Sequence, residues 1–89
     1  MKVTQKAIDA FGIILKEQGI PDSGIRIYTV QGCCSPSLQM TVTNQPEPDD
    51  NKMELNGIAF FIDNLAKVML EDLTIDYGIN GFRLEKNVD

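Results

Sequence analysis

The sequence has 89 residues, 43% of them apolar and 24% charged, with 8 Lys and Arg against 13 Asp and Glu for a net charge of −5. That length fits one domain spanning residues 1–89, short enough to bury only a modest share of its surface, so that self-association would help it. Residues 45–89 carry most of the negative charge, no basic stripe exists, and no run of about 18 apolar residues occurs. Nucleic acid and anionic membrane surfaces are therefore poor partners and no transmembrane helix is expected.

The first predicted element is a helix over Gln5–Gln18. Thr4 is placed to cap it, and Val3 and Ile8 are spaced as a hydrophobic staple. Ala7, Ile8, Phe11, Ile14 and Leu15 recur at helical spacing, and Gly19 with Pro21 behind it supplies the stop. The N-terminus runs into this amphipathic segment and not into an apolar leader, which predicts a cytoplasmic protein. After a turn at Pro21–Gly24, Ile25–Gln31 reads as a strand. Leu38–Thr43 alternates as a half-buried strand with Leu38, Met40 and Val42 inward. The two form a hairpin whose tip holds Gly32, Cys33, Cys34, Ser35, Pro36 and Ser37.

Asn44–Lys52 reads as a polar, solvated loop. Asn56-Gly57, between Met53–Leu55 and Ile58–Ile62, is the strongest short hairpin signal in the chain. Asp63 or Asn64 then caps a short helix to about Leu70, with Leu65, Val68 and Met69 as its apolar stripe. Leu73–Tyr77 and Phe82–Glu85 predict a second hairpin around Gly78–Gly81, before a polar, frayed end at 86–89. The expected fold is mainly β (α+β): a compact, β-sandwich-like domain with an N-terminal amphipathic helix and one short internal helix.

The absence of histidine removes the commonest general base and metal ligand, so no Ser-His-Asp or Cys-His nucleophile can be assembled, and no enzyme is expected. No glycine-rich phosphate loop occurs. The acidic stretch Glu47–Asn51 fails the calcium-loop pattern: counted from Asp49, the sixth residue is Glu54 and not Gly, and the twelfth is Phe60 and not Glu. The candidate functional residues are the thiols. Cys33 and Cys34 lie in a loop that can expose sulfur, a soft ligand suited to iron–sulfur chemistry or zinc. Adjacent cysteines bridge one another only with strain, so in a reducing compartment both are thiols. The same two residues are also compatible with a structural role as small apolar side chains near the core.

Four stretches together resemble the HesB/IscA-like family, the A-type iron–sulfur carriers. Val3-Thr4-Gln5-Lys6-Ala7 opens as that family does. Ile25-Arg26-Ile27 through Gly32-Cys33-Cys34-Ser35 is similar to its first strand and Gly-x-Cys-Ser-Gly loop, with Cys34-Ser35 on the Cys-Ser. Asn56-Gly57-Ile58 through Ile62-Asp63 resembles its middle hairpin, and Leu73–Tyr77 with Gly81-Phe82-Arg83-Leu84 its final pair. The resemblance implies a carrier that binds an iron–sulfur cluster or iron through Cys34, with Cys33 as an auxiliary ligand. Its partners would be iron–sulfur assembly proteins or apo-protein acceptors, and a homodimer would share the cluster. Pro36 replaces the usual Gly, Cys33 is additional, and the family's C-terminal Cys-Gly-Cys has no counterpart here, as in a C-terminally truncated variant. One chain then offers two thiolates where a cluster takes four, and a symmetric dimer would offer four. Two other readings are kept: a degenerate HesB-like interaction module that no longer binds a cluster, and a thiol redox protein using Cys34.

Overall fold

The structure, a computed structural model, describes residues 1–86. In chain order it runs β1 (Lys2–Val3), α1 (Gln5–Gln18), β2 (Gly24–Gln31), β3 (Pro36–Thr43), β4 (Asn51–Leu55), β5 (Ile58–Ile62), α2 (Asn64–Leu70), β6 (Leu73–Gly78) and β7 (Gly81–Lys86). The strands form two mixed sheets, one ordered β3-β2-β5-β4 and the other β1-β6-β7. The β2–β5 and β1–β6 pairs are parallel and the remaining neighbours antiparallel. Of the polar end expected at 86–89, Lys86 closes β7, and the rest lies outside the described residues.

Helix α1 occupies the residues its periodicity predicts because both ends are closed locally. The Thr4 hydroxyl accepts the Ala7 N–H at 3.2 Å, and Gly19 at φ 64° donates its N–H to the Leu15 carbonyl. The Thr4 hydroxyl also donates to Asp76 at 2.7 Å, while the Thr4 N–H reaches the Ile75 carbonyl at 3.0 Å. One residue thus starts the helix and ties it to β6. The two-residue strand β1, absent from the sequence reading, is the same tie extended backwards, with Lys2 and Val3 beside Thr74 and Ile75.

One apolar cluster draws on both sheets and both helices: Ala7, Ile8 and Phe11 of α1, Ile25 and Ile27 of β2, Ile58, Phe60 and Ile62 of β5, Ala66 and Leu70 of α2, and Ile75 of β6. Phe11 is the wedge between the sheets. It meets Phe60 of β5 edge-on at 5.4 Å and stacks on Phe82 of β7 at 4.5 Å. Asn56 and Gly57, at φ 50° and 85°, make the tight β4–β5 turn that their sequence announces.

Three expectations are corrected. Helix α2 buries Ala66 and Leu70, whereas Leu65 and Val68 face outward and only Met69 of the predicted stripe is part-buried. A seven-residue helix has room for more than one stripe, and a small Ala carries little weight in an apolar pattern; packing of Ala66 and Leu70 into the core cluster decides which face turns inward. Strand β4 starts at Asn51, earlier than predicted, because the Asn51 amide donates to the Ile62 carbonyl and to Asn64, each at 3.0 Å. The loop before it is not wholly solvated. Asp50 has a side chain 2% exposed and takes a two-pronged contact from Arg26, at 2.8 and 3.2 Å.

Candidate functional site

Strand β2 carries the candidate site at its far end. Over Ile25–Ile27 it is hydrogen-bonded to β5 on one side and to β3 on the other, with Ile25 and Ile27 in the core. Strand β5 stops at Ile62, so beyond Ile27 only β3 remains as a strand partner. The β2–β3 ladder continues as a two-stranded ribbon to the Gln31–Pro36 pair. The strand partner of Gln31 is thus Pro36, two residues earlier than the predicted start of β3, and the tip shortens to Gly32, Cys33, Cys34 and Ser35. A Gly32 N–H to Ser35 carbonyl bond of 3.2 Å closes it. A Cβ on Gly32 would lie 2.9 Å from that same carbonyl oxygen, so the close approach needs glycine.

Asp63 anchors the ribbon where β5 leaves it. Its N–H donates to the Ile27 carbonyl at 3.1 Å, and its carboxylate accepts the Thr29 N–H at 2.8 Å and the Thr29 hydroxyl at 3.1 Å. The carboxylate therefore continues the ladder by one step while its other oxygen caps α2 through the Ala66 N–H at 2.7 Å. Burial pushes the Asp63 carboxyl up, but the hydrogen bonds from Ala66 and Thr29 and the positive charge of Arg26 outweigh it, leaving the group below the ordinary carboxylate range. The sequence marks Asp63 as a helix cap and gives no sign of this second role. Arg26, beside it on β2, lies over the Tyr28 ring at 4.9 Å, and its hydrogen bond with Asp50 holds its pKa above the ordinary value.

Both sequence-predicted site residues sit at the tip. Cys33 and Cys34 are exposed and free, which removes the reading of either as a core side chain. Adjacent strand residues point to opposite faces, but the bend at the tip turns both sulfurs to one side, 3.5 Å apart. A tetrahedral metal with metal–sulfur bonds of about 2.3 Å separates its thiolates by about 3.8 Å. The two sulfurs thus lie within about 0.3 Å of the separation of two ligands on one soft metal. Among the described residues no group of three or more His, Cys, Asp or Glu side chains is gathered where it could hold a metal ion, so none of them adds a third such ligand to the two sulfurs.

A sequence model of the family described as iron-sulphur cluster biosynthesis matches residues 1–88. The chain belongs to that family. Its curated relatives include proteins named for iron-sulfur cluster insertion, ErpA. That of Ralstonia pickettii is 31% identical over 81 residues, covering 88% of this chain and 65% of that protein. That of Burkholderia cenocepacia is 31% identical over 75 residues, covering 83% of this chain and 61% of that protein. The chain therefore spans slightly less than two thirds of the length of these relatives. Among solved structures, Escherichia coli SufA, involved in the biosynthesis of iron-sulfur clusters, superposes with a TM-score of 0.75 at 19% identity, over 96% of this chain and 78% of SufA. IscA with a [2Fe-2S] cluster does so with a TM-score of 0.70 at 21% identity, over 96% and 83%. An Aquifex aeolicus protein gives 0.73 at 24% identity, over 100% and 91%. The family match bears out the HesB/IscA-like resemblance, and the shared architecture bears out the mainly β fold. Among the described residues no helix is long and apolar enough to cross a membrane.

Proposed function

We propose that this protein is an iron–sulfur cluster or iron carrier acting in cluster assembly, in which the Cys34 thiolate is a ligand and Cys33 an auxiliary one. The observation that carries the reading is the exposed pair of sulfurs, 3.5 Å apart at the exposed tip of a two-stranded ribbon. The cluster is cargo, bound and handed on. Two thiolates from each of two copies related by a two-fold axis complete the four that a cluster takes. A projecting tip suits such sharing, because two ribbons can approach end to end without either core deforming. Assembly proteins and apo-protein acceptors in the cytoplasm are the partners that fit this cargo.

Anaerobic reconstitution with iron and sulfide tests the reading, followed by visible absorption and iron and sulfide analysis of wild type and Cys34→Ser. Charge-transfer bands with stoichiometric iron and sulfide, lost in the variant, are expected. Among the described residues no third His, Cys, Asp or Glu gathers with the pair, which favours a second reading, an interaction module that keeps the fold and binds no cluster. A colourless, well-folded wild type would select it.

A further inference from the structure

We propose that Cys33 and Cys34 form a reversible disulfide with each other and that this bond switches the ligand site off. The inference rests on the reading of the pair as the cargo site and adds its regulation. Both sulfurs are exposed to a small reagent, and they already lie 3.5 Å apart on one side of the tip. A disulfide bond of about 2.05 Å asks them to close by roughly 1.5 Å, within reach of side-chain rotation and small backbone adjustment. The loop they occupy is held by a single backbone hydrogen bond across its base, from Gly32 to Ser35. No packed side chain resists the adjustment at Cys33 or Cys34, since neither is buried.

The covalent geometry sets the character of the bond. The Cys33–Cys34 peptide is trans, which fixes the two Cα atoms about 3.8 Å apart. Ordinary disulfides span roughly 4.4–6.8 Å between Cα atoms. The ring is therefore strained, and strained, exposed disulfides have the higher reduction potentials that make them labile and regulatory, not structural. The oxidant is a low-molecular-weight disulfide. A thiolate of the pair attacks one of its sulfurs, forming a mixed disulfide and releasing one small thiolate. The neighbouring thiolate then attacks the protein sulfur of the mixed disulfide and expels the second. Two protein thiols are oxidised to one disulfide, and the reagent is reduced to two thiols, which take up the two protons. The product has no thiolate at the tip and so no soft ligand. Cys33 has a role in this that a single-cysteine loop cannot fill: it resolves the mixed disulfide that would otherwise persist on Cys34.

The reduced full chain, and its Cys33→Ser and Cys34→Ser variants, are equilibrated anaerobically with glutathione buffers of increasing oxidation, quenched in acid and analysed by intact mass and non-reducing electrophoresis. The wild type is expected to lose both free thiols as a monomer, two hydrogens lighter and without an adduct, and to recover them in dithiothreitol. Each variant is expected to accumulate a glutathione adduct. A wild type that accumulates the adduct as the variants do, or that links into covalent dimers, overturns the proposal. Iron binding by reduced and oxidised wild type is measured alongside. Binding retained after oxidation overturns the switch while leaving the carrier reading intact. A reduced protein that takes up no iron overturns the carrier reading, and with it the regulatory role, whatever the thiols do.

Discussion

In its first half, over Ile25–Ile27, strand β2 is flanked by β3 and β5 and places Ile25 and Ile27 in the core. In its second half it keeps β3 alone, loses β5 after Ile27, and ends exposed at Gln31, one residue before the cysteine-bearing loop. Close packing governs the first half. A Cβ on Gly24 would lie 2.6 Å from the Ala59 carbonyl oxygen, so no larger residue enters without moving backbone. The second half is held by hydrogen bonds to one strand and one carboxylate, and at its end Val30 and Gln31 are exposed. On the proposed reading, stability and function lie at opposite ends of one strand, and substitutions along this axis should separate them.

The largest effect is expected at the packed end. Phe60 is fully buried beside Phe11, and Phe60→Ala should destabilise the fold by about 3–5 kcal/mol. Urea titration followed by circular dichroism measures it. For so small a domain that loss is a large part of the total, and the variant should be partly unfolded at 37 °C. Next comes Arg26→Ala, which leaves the Asp50 carboxylate buried with the Glu47 N–H as its remaining polar contact. A loss of about 2–4 kcal/mol is expected in the same titration. If Arg26→Ala proves neutral, the loop before β4 is held without the ion pair and the packed region ends at β2.

The parts of this architecture that the sequence announces are the local ones. Thr4, Gly19, Asp63 and Asn56-Gly57 act on neighbours a few residues away, so their signals survive in one dimension. The hairpin is legible for the same reason, since Gly32 breaks one run and the alternation from Leu38 opens the next, but its tip is shorter than the sequence implies because Pro36 and Ser37 pair with Gln31 and Val30. Pairings across the chain were not legible. Strand β1 is two residues long and exists because Thr74 and Ile75 lie beside it. The Arg26–Asp50 pair joins a strand to a loop whose composition looks merely polar. The inward face of α2 is set by tertiary packing, which outranks an apolar count of Leu65 and Val68. The 3.5 Å approach of the two sulfurs depends on the bend at the tip, and no spacing rule for adjacent residues supplies it.

Asp63 sits at the boundary between the two halves, and its removal should cost less than either change above. Asp63→Ala loses the cap of α2 and the tie to Thr29, and about 1–2 kcal/mol at neutral pH is expected. The effect should depend on pH in a set direction. The carboxyl titrates below its ordinary value in the folded protein and near about 3.9 in the unfolded chain. The unfolded chain therefore binds its proton first as pH falls. The stabilisation is complete above the unfolded value and is lost as pH drops through the folded one. Wild type and variant should differ by a constant amount above about pH 5 and converge below pH 4, as read from urea midpoints across that range. A gap that widens in acid would show that Asp63 is not stabilised as a carboxylate.

The smallest stability effect is expected at the tip itself, and this is the sharpest test of the comparison. Cys34 is exposed and makes no contact with the core, and Ser matches its shape with an oxygen in place of sulfur. Cys34→Ser should therefore shift the urea midpoint by no more than the equivalent of about 0.5 kcal/mol, while abolishing the iron and sulfide uptake expected of the wild type. A variant that loses uptake together with stability would leave the loss of cargo attributable to unfolding, and the tip would belong to the packed region after all. Unchanged stability with lost uptake requires that sulfur at this position acts as a ligand and not as packing, because the fold would then be indifferent to the atom that the cargo needs.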